Sequence, residues 1–309
     1  MGERVIINEV GLRDGLQNQP RLVDTDHKLR LLNALLAAGI RHVEATSFVS
    51  PKAVPQMADA AELMAQLPDR DRVDYSVLVP NVKGYERAKA SGARSVAVTL
   101  SCTETMNRRN INMGLTQAEA VCAEVMRLAA ADGLIGRAYL SVAFFCPFEG
   151  QVERDVVVRL AAAMFDAGAR EVIVADTIGS ADPMHVRDVF GSLTQRYDPK
   201  LLSGHFHDTK GLALANCYAA FAAGIRKFDS SIGGLGGCPF APGAAGNAAT
   251  EDLVNMFASA GCETGIDLDK LPAAVGVAEQ CTGQTLGGRW LNWRRSQHAK
   301  QATRATGAN

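Results

Sequence analysis

Eight short runs rich in β-branched and other apolar residues recur along the chain, each followed by a longer stretch of helical periodicity. They are VIINEV (5–10), HVEATS (42–47), DYSVLV (74–79), SVAVTL (95–100), AYLSVAF (138–144), EVIVAD (171–176), SGHFHD (203–208) and FDSSIG (228–233). A strand that returns parallel to its neighbour needs a crossover long enough to hold a helix, so this alternation predicts a parallel α/β sheet. Leu29, Leu32 and Leu36 mark one such helix, and Val121, Val125 and Leu128 another. AAGI (37–40), ASGA (90–93), DAGA (166–169) and AAGI (222–225) supply glycine stops shortly before the next strand. With no linker-like tract between units, eight repeats predict one closed (β/α)8 or TIM barrel. An open doubly wound sheet is the alternative, and the absence of G-x-G-x-x-G after the first strand argues against it. Residues 247–261 and 268–282 read as extra C-terminal helices covering the barrel, which gives a single catalytic domain over 1–285. The basic tail, 286–309, is expected to be partly mobile or to sit at a subunit contact, with Trp290 and Trp293 docking on the barrel or a neighbour.

Lys+Arg 32 against Asp+Glu 33 leaves a net charge of −1, so no bulk attraction to nucleic acid or anionic membrane is expected. Seven cysteines, spread widely with no C-x-x-C pair, read as free thiols in a reducing compartment. Neither a signal peptide nor an unbroken apolar run of about 18 residues is present, and a cytoplasmic protein is the expectation.

In such a barrel, function gathers where strands end and βα loops begin. Glu9, Arg13, Asp14 and Gln17 follow the first strand, Glu44 and Ser47 end the second, and Asp176 and Thr177 end the sixth. The seventh ends in HFHDTKG (205–211), and a glycine-dense loop carrying Cys238 and Asn247 follows the eighth. Residues i and i+2 on a strand point the same way, so His205 and His207 can face one point while Phe206 packs behind. With Asp14 and Asn247 they would form a mixed nitrogen and oxygen site for a divalent cation. The plainer reading makes the histidines a strand terminus and Asp208 a helix cap. Arg13 and Asp14 could likewise be a surface ion pair worth at most about 1 kcal/mol. Glu44, deep in an otherwise small-to-apolar run, needs a partner, which Arg13 or Asn247 could provide. Cys238 reads either as a buried inert thiol or as a residue carried over the site by a flexible lid. GLGG lacks the Lys-Ser/Thr of a P-loop, so nucleoside triphosphate binding is not expected.

Taken in order, EVGLRDGLQNQ (9–19), EATSFVSPKAVPQMAD (44–59), YSVLVPN (75–81), CPFEG (146–150), DTIG (176–179), HFHDTKGLALAN (205–216) and GGLGGCPFAPGAAGNAATEDLV (233–254) resemble the 3-hydroxy-3-methylglutaryl-CoA lyase family. That family sits among the metal-dependent lyases and Claisen-type synthases on TIM barrels. The resemblance implies retro-Claisen cleavage of an acyl-CoA with Mg²⁺ or Mn²⁺, giving acetyl-CoA and a keto acid such as acetoacetate. It assigns Asp14, His205, His207 and Asn247 as metal ligands; the chemistry then makes Asp14 or a metal-bound water the base, with His205 a candidate relay. Arg13 would steady the enolate, Glu44 would orient its neighbours, and Cys238 would deliver a proton. Gln17, Ser47 and Thr177 match substrate-pocket positions, with Arg13 beside them. Pro20, Ala53 and Met113 stand where the family commonly has lysine, tryptophan and cysteine, and Ala53 raises the expectation of a related or bulkier acyl group such as that of citramalyl-CoA. Lys52, Lys83, Arg108 and Arg109 are either CoA contacts or ordinary solvated charge. The competing readings are a metal-dependent hydrolase, a Claisen condensing enzyme and a non-catalytic acyl-CoA-binding barrel. A homo-oligomer, taken as a dimer, is the expected assembly.

Overall fold

The computed structural model describes residues 2–237 and 246–305. Eight parallel strands close into a barrel: β1 Ile6–Glu9, β2 His42–Ser47, β3 Asp74–Leu78, β4 Ser95–Ser101, β5 Ile135–Ser141, β6 Glu171–Asp176, β7 Leu202–Phe206 and β8 Lys227–Ser230. Each pairs with its sequence neighbours, and β8 closes the ring on β1 with Ile6 opposite Lys227. The TIM barrel expected from the alternation is the observed fold.

Outside the ring run α1 Thr25–Ala37, α2 Ala60–Ala65, α3 Val82–Ala90, α4 Glu104–Ile111, α5 Leu115–Ala131, α6 Arg154–Asp166, α7 Pro183–Thr194, α8 Ala213–Ala222 and α9 Thr250–Ser259. The four glycine stops behave as expected, since Gly39, Gly92, Gly168 and Gly224 take φ of 101°, 76°, 101° and 103°. At Gly39 the space is closed as well, because a Cβ there would lie 2.5 Å from the Gly265 carbonyl oxygen. The helix faces are rotated slightly from the leucine spacing. In α1 the buried stripe is Lys28, Leu31, Leu32 and Leu35, with Leu29 and Leu36 along its margins. Lys28 belongs there because its ammonium reaches the Asp59 carboxylate at 2.6 Å.

The strand boundaries differ most from the sequence reading at β5, β7 and β8, the last ending at Ser230 with Ile232–Gly234 forming a 3-10 turn. β5 begins three residues before AYLSVAF, because Arg137 is a strand residue held by partners at the N-terminal mouth. Its guanidinium meets Asp74 and lies 3.2 Å from Glu171, which also takes Lys227 at 2.6 Å. The strand stops at Ser141 because Val142 turns to φ 49°. β7 ends at Phe206, so His207 lies just beyond it, in an isolated antiparallel bridge with Asn247.

After α9 come α10 Leu271–Thr282, which packs on α1, and α11 Arg289–Ala305. The tail is therefore helical over most of its length. Trp290 packs against the core and Leu291 is buried, while Trp293 is 59% exposed. Among the described residues, no helix is long and apolar enough to cross a membrane.

β1 ends in Glu9, a fully buried carboxyl that burial pushes up to about 7, against hydrogen bonds from the Thr250 hydroxyl and the Ile232 and Gly11 amides. The unfolded chain releases this proton near 4.5, so between there and about 7 the native state binds the extra proton. Stability attributable to Glu9 therefore falls as pH rises through that window and levels off above it, by up to about 3 kcal/mol. Glu9→Gln removes this ionisation. Urea unfolding at pH 5 and pH 8 should show the variant gaining on the wild type as pH rises, and an unchanged difference would contradict the assignment.

Candidate metal centre and active site

Immediately after β1 the chain makes one wide π-helical turn, Gly11–Gly15, a form common at functional sites. It aims Arg13 and Asp14 into the C-terminal mouth of the barrel. Arg13 Nε donates to Glu44 Oε2 at 2.5 Å, and another guanidinium N–H donates to Asp14 Oδ1 at 2.6 Å. Of the two partners open to Glu44, the structure selects Arg13. Burial would lower the Arg13 pKa, but the Glu44 and Asp14 carboxylates raise it, so the guanidinium stays charged. Burial pushes the Glu44 carboxyl up against the pull of Arg13. Asp14 moves the other way: burial is outweighed by Arg13, His207 and His205, which hold it well below the carboxylate range.

His205, at the end of β7, shares a hydrogen bond of 3.0 Å between Nδ1 and Asp229 Oδ2. Asp229 on β8 also accepts from Asn8 Nδ2 at 2.8 Å and from the Tyr139 hydroxyl at 2.9 Å. Burial would lower the His205 pKa, but the Asp229 hydrogen bond and charge raise it. A proton committed to Nδ1 leaves the Nε2 lone pair available, which is how metal-binding imidazoles are commonly oriented. His207 Nε2 lies 3.6 Å from Asp14 Oδ2.

Asn247 reaches the same point from the other side of the glycine-dense loop. Backbone bonds from Asp208 N to Gly246 O and from Ala248 N to Phe206 O, both 3.0 Å, lay its segment against the end of β7. Its Nδ2 donates to Asp14 Oδ2 at 2.8 Å and to Leu235 O at 3.1 Å. Asn247 Oδ1 and His207 Nδ1 are then buried with no hydrogen-bond partner among the described residues. Such orphaned atoms are costly in a folded interior, and a cation satisfies lone pairs of this kind. One ligand atom each from Asp14, His205 and His207 lies within 4.8 Å of the others. These buried residues could hold a metal ion, and the mixed donor set fits a divalent one.

A cavity of about 220 Å³ opens on this group, with Arg13, Gln17, Tyr139 and Thr177 in its wall. Gln17 Nε2 donates to Asp14 Oδ1 at 2.9 Å, and the Thr177 hydroxyl accepts from Val142 N at 2.8 Å. Ser47 is buried at the end of β2 outside the cavity lining. Asp176 turns away to accept from Ser180 N and Ala181 N at 2.9 and 3.0 Å, shaping its own loop. Ala53 is exposed, and its neighbour Val54 lines the cavity instead, so the enlargement expected there is not what the structure shows. Lys52, Lys83, Arg108 and Arg109 are exposed; Arg108 pairs with Glu104 at 2.7 Å and Arg109 covers the Phe148 ring at 4.8 Å. Cys238 lies outside the described residues. Asp229 and Tyr139 were missed by sequence reasoning, although an aspartate following Phe228 in a barrel strand was a usable signal.

Residues 4–277 match the family model described as HMGL-like. Hydroxymethylglutaryl-CoA lyase from Pseudomonas mevalonii is 42% identical, across 89% of this chain and 91% of its own length. The crystal structure of the Bacillus subtilis HMG-CoA lyase superposes with a TM-score of 0.91 at 41% identity, covering 95% of this chain and 98% of that one. An HMG-CoA lyase from Acinetobacter baumannii, in complex with coenzyme A and 3-methylmalate, gives 0.89 at 37% identity with 94% of each chain covered.

Removing one member of a buried ion pair strands the other. Glu44→Ala should therefore lose about 3–5 kcal/mol of stability, measured by urea unfolding in EDTA. The double variant Arg13→Met/Glu44→Ala should lose less than the sum of the two single changes.

Proposed function

The chain belongs to the HMGL-like family, and on that footing we propose that it is a divalent-metal-dependent lyase cleaving 3-hydroxy-3-methylglutaryl-CoA into acetyl-CoA and acetoacetate. The observation that carries this reading is the Asp14, His205 and His207 group, with its orphaned atoms and with Arg13 beside it. Asp14, His205, His207 and Asn247 would hold the cation, Mg²⁺ or Mn²⁺, which when bound acidifies the substrate's C3 hydroxyl as a Lewis acid.

Cleavage of C2–C3 requires loss of that hydroxyl proton. Asp14 is the acceptor we assign: it is ionised and lines the cavity, and although Arg13, His207 and His205 hold its basicity low, a hydroxyl acidified by the cation asks for only a weak base. His205 is assigned as a ligand and not a relay, because its Nδ1 is committed to Asp229. The bonding pair from C2–C3 moves into the thioester as an enolate. Arg13, which faces the cavity and has N–H groups beyond those bound to Glu44 and Asp14, stabilises that oxygen by charge-assisted hydrogen bonds. Glu44 keeps the guanidinium at this point. Cys238, on the family resemblance, returns a proton to C2 and completes acetyl-CoA.

Ala53 is exposed, and neither Pro20 nor Met113 lines the cavity, which favours the family's own acyl group over a bulkier one. The described cysteines are all free thiols, which supports a reducing, cytoplasmic setting. The assembly we propose is a dimer, to be sized by light scattering.

Acetyl-CoA release from 3-hydroxy-3-methylglutaryl-CoA should be rapid with Mg²⁺ or Mn²⁺ and abolished by EDTA. Silence from folded protein with both metals would overturn the substrate assignment. Asp14→Asn should lower kcat by about 10²–10⁴-fold and weaken Mn²⁺ binding in calorimetry. Cys238→Ser should bind Mn²⁺ normally and lose turnover, and full activity would remove the cysteine from the mechanism.

A further inference from the structure

The two turns that bring Asp14 and Asn247 together come from distant parts of the chain, and among the described residues the proposed ligands themselves do not join their backbones. We propose that Glu9 is the positioning residue that does so, fixing the spacing of the Asp14 turn and the Asn247 segment from beneath. This rests on the reading of Asp14 and Asn247 as cation ligands.

The Glu9 side chain is fully buried behind the site and touches neither Asp14 nor Asn247 through any hydrogen bond. Its Oε1 accepts from Gly11 N at 2.8 Å, the amide that opens the Arg13–Asp14 turn. The same oxygen accepts from Ile232 N at 2.9 Å, the amide that opens the turn leading to Leu235. Leu235 O is in turn the acceptor that orients the Asn247 amide. The other oxygen, Oε2, accepts from the Thr250 hydroxyl at 2.6 Å, three residues beyond Asn247. One carboxylate thus ties three backbone segments, and each of them leads directly to a proposed ligand or its support.

Packing supports the assignment independently. A Cβ on Gly11 would lie 2.5 Å from Glu9 Oε1, and one on Gly15 would lie 2.8 Å from Ser231 Oγ. Both glycines bracketing the Arg13–Asp14 turn are therefore seated on Glu9 and on the residue preceding Ile232. Ser231 extends the same link, since its amide donates to Ala248 O at 3.0 Å and its carbonyl accepts from Thr250 N at 3.1 Å. All three partners are donors, so the place requires a side chain with acceptor oxygens. A glutamine could keep both amide bonds on Oε1 and turn its NH₂ to the Thr250 oxygen. An alanine keeps none of these bonds.

The test uses the full chain and Mn²⁺ alone, by calorimetry, with hydrogen exchange on the metal-free protein as a second readout. Glu9→Ala should bind Mn²⁺ roughly 10–100-fold more weakly than wild type, the range seen when a ligand's supporting partner is lost. Exchange should quicken at Gly11–Gly15 and Ile232–Leu235 and stay unchanged in β3 to β6. Glu9→Gln should restore wild-type affinity within about threefold. If Glu9→Ala does not fold, Gly11→Ala decides, since its methyl group must displace the Glu9 carboxylate and should weaken Mn²⁺ binding similarly. Wild-type affinity in either folded variant, or exchange raised evenly around the barrel, would overturn the inference. Failure of the wild type to bind Mn²⁺ would instead remove the metal reading, and this inference with it.

Discussion

A guanidinium buried between two carboxylates sets the terms for the rest of this molecule. Arg13 cannot lose its proton, and at 6% exposure it cannot rely on water, so Glu44 and Asp14 must both be where they are. That requirement fixes the wide turn after β1 against β2. It also keeps Asp14 ionised in an interior where a carboxyl would otherwise take up a proton. The low basicity of Asp14 and the readiness of the site for a cation are thus two results of one arrangement.

The barrel carries charge at both mouths and manages it differently at each. At the N-terminal mouth Arg137, Asp74, Glu171 and Lys227 pair among themselves, and Ser203 adds a hydrogen bond to Glu171. Between the mouths lies a thin apolar layer of Ala97, Tyr139 and Ile173, with Leu78 against it. Most of the hydrophobic core is instead between the strands and the helices, where α1, α5 and the other helices bury their faces. Stability can therefore reside largely outside the ring, which leaves the C-terminal mouth free to hold polar groups in arrangements poor for folding.

How much of this was legible follows from the range of each interaction. The strands, the glycine stops and the barrel rest on local periodicity and local φ, and these are written in short windows. Arg137 was not legible, because a charged residue reads as a strand breaker until Asp74 and Glu171, distant in sequence, are known to face it. Asp229 and Tyr139 escaped for the same reason, since their meaning is a contact with His205 from another strand, Asp229 from the neighbouring one. Ser47 and Asp176 show the opposite error. Their position at strand ends was read correctly, but a strand end can point a side chain into the wall or back at its own loop as readily as into the cavity. The tail was read as weakly patterned because, among its described residues, Leu291 and Trp290 are the apolar anchors, and two adjacent residues show little periodicity.

The two histidines that alternation placed together are not equivalent, and only their partners show it. His205 has an ion-pairing neighbour that fixes its proton on Nδ1, whereas His207 is held by its backbone bridge to Asn247 and has no partner for Nδ1 among the described residues. Asn247 donates through Nδ2 to the Asp14 carboxylate and the Leu235 carbonyl, and its Oδ1 is buried with no partner among the described residues. A sequence optimised for stability alone would not bury these atoms without partners. Their persistence at the one place where Asp14, His205 and His207 converge is best explained by a ligand that completes the folded state. By mass action, an ion that binds only that state stabilises it. On the proposed metal reading, the site would then stand among the forces that hold the C-terminal mouth together, beside the buried bonds of Glu9 and Arg13.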